Sequence, residues 1–113
     1  MILRIFKVEI FPELQADFER DFALISVQSV LNQQGCVSCQ VGKPISAKSA
    51  VYMMLTMWED PKSLLEFTGE DFKQAIIPAG MGKYVKACSV EHYLSTEPYR
   101  RRSPRTTFSL ENP

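Results

Sequence analysis

The feature that most constrains this chain is the segment 50–59, Ala-Val-Tyr-Met-Met-Leu-Thr-Met-Trp-Glu. With the two-residue period of a strand, Val51, Met53, Leu55 and Met57 fall on one face and Tyr52, Met54, Thr56 and Trp58 on the other. The strand is thus apolar on both faces. Helices packed on one side of a sheet cover only one of these rows, and a chain of 113 residues has little left to cover the second. An apolar patch of that kind marks an interface. The expectation is a homodimer in which two sheets pack face to face.

The flanking segments supply the rest of the sheet and its cover. Residues 2–10 alternate, with Ile2, Phe6, Val8 and Ile10 on one face and Leu3 and Ile5 on the other, and read as a first strand. Pro12 stands where a helix accepts its first residue, with Glu13 and Asp17 near the positive end of the helix dipole. Leu14, Phe18, Phe22, Ile25 and then Val30 or Leu31 recur at helical spacing through Gln34, and Gly35 supplies a stop. Cys36–Val41 reads as a short strand and 42–49 as a turn-rich loop. Asp60-Pro61 opens a helix through Phe67, and Thr68-Gly-Glu-Asp71 predicts a second helical piece through Ile77, broken by Pro78-Ala-Gly-Met-Gly82. Tyr84–Leu94 alternates again and closes the domain. Strand, helix, strand, strand, broken helix, strand is the ferredoxin-like βαββαβ arrangement of an α+β fold, with a four-stranded antiparallel sheet of order 4-1-3-2 and both helices on one face. The domain is expected over 1–94.

Residues 95–113 hold three prolines and Arg100, Arg101, Arg102 and Arg105, and predict a basic tail, with Tyr99, Phe108 and Leu110 as potential anchors on a partner subunit. The tail's net +2 offsets the −2 of residues 1–94, so no overall field favours nucleic acid, and the short arginine run lacks interleaved aromatics. No apolar run approaches the ~20 residues of a membrane span, and the alternating N-terminus is unlike a signal peptide. Three cysteines, an odd number, indicate reduced thiols and a cytoplasmic setting. Cys36-Val-Ser-Cys39 has the spacing of a metal or redox pair, yet residues three apart on a strand point to opposite faces. Cys88 and His92 share a face of the last strand, three strand spacings of ~4.8 Å from Cys36 and Cys39, too far to share a metal. No metal site is expected. His92, the only histidine, is a potential base near neutral pH; as a lone strand histidine it reads as an interface or surface residue.

The stretch Tyr52-Met-Met-Leu-Thr-Met-Trp58-Glu-Asp-Pro-Lys-Ser-Leu-Leu-Glu66-Phe, within this order of elements, resembles the antibiotic biosynthesis monooxygenase superfamily of dimeric α+β barrel proteins. The resemblance implies a pocket between sheet and helices. There some members oxygenate polyphenols or quinols without metal or flavin, the substrate itself supplying electrons to oxygen, and others degrade haem. The polyketide-oxygenating members pair the Trp with an Asn four residues earlier, a Tyr six later and an Arg about twenty later. Here those positions hold Met54, Leu64 and Pro78. The iron-ligating His of the haem degraders, ten residues after the Trp, corresponds to Thr68.

Two functional readings follow. In one, the chain is a cofactor-independent monooxygenase-like oxidoreductase that holds an aromatic or quinol-type small molecule among Tyr52, Met54, Trp58 and Phe72, with Trp58 and Tyr84 as catalytic candidates. In the other it is a non-catalytic dimeric binding or accessory protein of the same fold. Trp58 itself has a second reading as core packing beneath the helices.

Overall fold

A computed structural model describes residues 1–96 and 98–101. Strands β1 (Ile2–Ile10), β2 (Cys36–Gly42), β3 (Val51–Trp58) and β4 (Val85–Leu94) form one antiparallel sheet of order β2-β3-β1-β4. Read from the other edge this is the expected 4-1-3-2, and the fold is ferredoxin-like α+β. Tyr84 belongs to a short 3-10 turn (Gly82–Tyr84), so β4 begins one residue later than the alternation predicts. Of the expected tail, Arg102, Arg105, Phe108 and Leu110 lie outside the described residues.

The long helix changes pitch as it crosses the sheet. It opens as a 3-10 turn (Pro12–Leu14), continues as α-helix (Gln15–Asp21), widens to a π-helical stretch (Phe22–Val27) and closes as α-helix (Gln28–Leu31). Its buried residues are Phe18, Phe22, Ser26 and Val30, spaced by four. At 3.6 residues per turn each such step overshoots a full circle by ~40°. The π stretch turns less per residue and keeps the row on the sheet. This brings Ser26 into the buried row and leaves Ile25, expected there, only half-buried. Two tyrosines fasten the helix: Tyr52 Oη donates to Glu19 and accepts from Gln15 Nε2 at 2.7 Å, and Tyr84 Oη donates to Asp21 at 2.6 Å.

The short helix (Pro61–Thr68) follows its sequence signals. Asp60 Oδ1 accepts from the Ser63 amide at 2.8 Å, Pro61 occupies the first turn, and Gly69 ends the helix at φ +85°. Where the helix meets the chain end of the long helix, only glycine fits. Gly35 has φ +93°, and a Cβ there would lie 2.3 Å from the Ser63 Cβ.

The second helical piece predicted over 71–77 does not form. The Asp71 carboxylate and carbonyl accept from Lys73 and Gln74 amides, one turn's worth, and the segment then runs without helix to Met81. Two causes are visible. Arg4 takes the carbonyls of Phe72 and Gln74, which a helix would use internally, and Pro78 disfavours helical backbone at Ile77. Residues 69–81 therefore form an irregular cover over the inner face. No helix among the described residues is long and apolar enough to cross a membrane.

Candidate functional site

Strand register assembles a polar row that no sequence neighbour reveals. On the inner face of the sheet, Cys39, Thr56, Arg4 and His92 stand opposite one another across β2, β3, β1 and β4. The adjoining rows are apolar: Val41, Met54, Phe6 and Val90 on one side, and Cys36, Trp58, Ile2 and Leu94 on the other. A bulge between Cys36 and Ser38 inserts one extra residue into β2, so Cys36 and Cys39 share this inner face, contrary to the alternation expected of a regular strand. Burial holds the Cys39 thiol up at about 11, which leaves it protonated and unreactive at neutral pH.

Arg4 is the centre of the row. It is only 4% exposed, and burial lowers the pKa of its guanidinium to about 10. Nη1 donates to the Phe72 carbonyl at 2.7 Å and to His92 Nε2 at 2.9 Å, and Nη2 donates to the Gln74 carbonyl at 2.8 Å. The Phe67 ring lies 5.9 Å from its guanidinium carbon. No carboxylate among the described residues pairs with it: their ion pairs join Arg20 to Asp17 and Asp21, Lys43 to Glu19, and Lys86 to Glu9. A buried cation without a counter-ion is costly, and carbonyl dipoles offset that cost only in part.

His92 is set by this neighbour. Arginine can only donate, so Nε2 is the acceptor and the ring proton sits on Nδ1. Burial first, and the Arg4 charge second, push its pKa below the ordinary 6.5, so the imidazole is neutral at pH 7. Phe72 packs edge-on against it at 4.8 Å. His92 is half-buried, on the inner face of the sheet opposite its strand partner Arg4 and beside Phe72.

Between this face and the helices lies a cavity of about 40 Å³. Arg4, Phe6, Met54 and Thr56 form its floor, Phe22, Ser26 and Ser29 one wall, and Phe67, Ile77 and Met81 the other. The volume suits one or a few waters. A ligand of ordinary size needs roughly 300 Å³ or more, so the cover must move to admit one.

The structure separates the sequence-predicted site residues. Met54 lines the cavity. Trp58, 0% exposed, stands behind it, stacked on Phe67 at 5.1 Å with its indole N–H donating to Thr56 Oγ1 at 2.9 Å. Tyr52 and Tyr84 are buried, and each has its hydroxyl turned to a helix carboxylate. Bonding to Asp21 raises the Tyr84 pKa, so the phenol holds its proton. Phe72 sits on the cover and takes part through its carbonyl and its ring against His92. Arg4 was missed, although its signal is legible: a charge at the position between Ile2 and Phe6 in an otherwise apolar row.

Residues 1–78 match the family model described as antibiotic biosynthesis monooxygenase. The chain belongs to that family. Its fold is shared by a Caulobacter crescentus protein described as a candidate antibiotic biosynthesis monooxygenase, at 24% identity and a TM-score of 0.65 over 85% of this chain and 90% of that one. A Deinococcus radiodurans protein with the same description gives 12% identity and a TM-score of 0.66 over 91% and 100% of the chains. The haem degrader MhuD of Mycobacterium tuberculosis, solved with two haems in its active site, gives 15% and 0.65 over 88% and 100%. Among curated proteins none matches the sequence. In this family member a haem would find no free imidazole: His92 Nε2 is held by Arg4, and Thr68 stands at the position where the haem degraders carry their ligand.

Proposed function

We propose that this chain binds a small aromatic or quinol-type molecule in the cavity over the Arg4 row and oxidises it with molecular oxygen, the substrate supplying the electrons. The observation that carries the reading is the cavity itself, largely apolar on its walls apart from Ser26 and Ser29 and crossed by one polar row, in a chain of the antibiotic biosynthesis monooxygenase family. An anthrone or hydroquinone gives up an electron to oxygen far more readily once deprotonated. A buried cation beside its hydroxyl favours that deprotonated form. In an anthrone oxygenation one oxygen atom becomes the new carbonyl and the other leaves as water. Arg4 holds the oxyanion and Thr56 offers a hydroxyl whose oxygen already accepts from Trp58, while His92, its Nε2 held by Arg4, positions the guanidinium. Trp58 serves by fixing Thr56 and Phe67.

One observation favours a binding role without turnover: apart from Arg4, no titratable side chain lines the cavity. Oxygen uptake with a panel of anthrones and hydroquinones separates the two. Uptake that falls at least tenfold in Arg4→Gln supports the enzyme; no uptake with any member of the panel ends that reading in favour of the binding role.

A second copy of the chain is proposed as the cover of the outer face. Leu3, Ile5, Met53, Leu55 and Met57 lie half-buried there with no helix of the described residues over them, and Val51 is 44% exposed. The three free thiols suit a reducing, cytoplasmic setting.

A further inference from the structure

Arg4 is a buried cation whose charge no carboxylate among the described residues answers. Three of its five N–H groups are engaged, two by backbone carbonyls and one by the neutral His92. Among the described residues, the N–H of Nε and one N–H of Nη2 have no acceptor, and the guanidinium forms part of the cavity floor. A planar carboxylate matches a guanidinium with two parallel bonds. The same guanidinium holds Phe72 and Gln74, so it is also what fastens the cover across the cavity.

We infer that the ligand of this cavity is an anionic aromatic molecule, a carboxylate or phenolate, and that it enters by exchanging the Arg4 bonds to the Phe72 and Gln74 carbonyls for bonds to its own charge. This deepens the proposed function and rests on the same cavity. The apolar walls at Phe22, Met54 and Phe67 set the aromatic body, and Arg4 sets the charge. A neutral ligand of the same shape has to release the cover and leave the cation without carbonyl partners, with nothing given in return. An anion replaces two dipoles with a full opposite charge.

The test uses a matched pair, 2-naphthoate and 2-naphthamide, titrated calorimetrically into the full chain without oxygen. The expected result is at least tenfold tighter binding of the acid, a preference that shrinks to within about twofold in Arg4→Gln and is partly kept in Arg4→Lys. Met54→Trp, which fills the cavity, should abolish binding of both. Should Arg4→Gln not fold, amide hydrogen exchange on the wild-type protein still decides: naphthoate should speed exchange across 72–78 and naphthamide should not. Equal affinity for acid and amide, binding of neither, or binding that survives Met54→Trp overturns the inference. Because nothing turns over, charge-selective binding with no oxygen uptake would end the oxygenase reading and leave this one standing. Uptake with indifferent binding would do the reverse.

Discussion

Arg4 Nη1 donates to His92 Nε2 at 2.9 Å across the β1–β4 pair, joining residues 88 positions apart in the chain. The bond requires a neutral imidazole, since a protonated ring has no lone pair to offer and adds a second positive charge beside the first. The folded pKa of His92 is lowered, so its stabilising share is complete above the unfolded value near 6.5 and is lost as pH falls through the folded value. Melting temperature should therefore decline as pH drops from about 7 toward 5.5, before the carboxylates titrate. In His92→Gln, where an amide oxygen accepts from Arg4 at every pH, that part of the decline should vanish. An unchanged profile would show that the pair contributes nothing.

Trp58 is packing rather than cavity wall. Trp58→Ala should cost about 3–5 kcal/mol in denaturant unfolding, the range for emptying a buried aromatic site. Trp58→Phe should fold and bind an aromatic ligand within about twofold of wild type. A tenfold loss of affinity in that variant would return the indole to the binding surface.

Gly35→Ala meets two obstacles at once, the positive φ and the Ser63 Cβ 2.3 Å from the new methyl position. Together these should cost at least about 2 kcal/mol. Adding Ser63→Gly should recover the steric part and leave the backbone part. No recovery would mean that the cost lies wholly in φ.

Leu55 stands opposite Ile5 on the outer face, at the middle of the exposed apolar row. Light scattering should give a dimer for the wild type and a monomer for Leu55→Glu, with helical circular dichroism retained. A wild-type monomer at micromolar concentration would remove the second copy from that face.

The sequence by itself determined the element order, the strand topology and the doubly apolar β3, because each rests on local periodicity and on caps such as Asp60-Pro61 that act within a few residues. It also determined the family, through the span from the first strand to Pro78. The tertiary structure decided the rest through long-range pairing. Register placed Arg4 between Thr56 and His92, and the β2 bulge turned Cys36 to the face of Cys39. The π stretch brought Ser26 into the buried row of the long helix. The cover shows the contest most plainly: residues 68–77 carry a helix-opening signal, yet the carbonyls of Phe72 and Gln74 bond to an arginine some 70 residues upstream. A local preference of a few tenths of a kcal/mol per residue yields when a buried charge needs those acceptors.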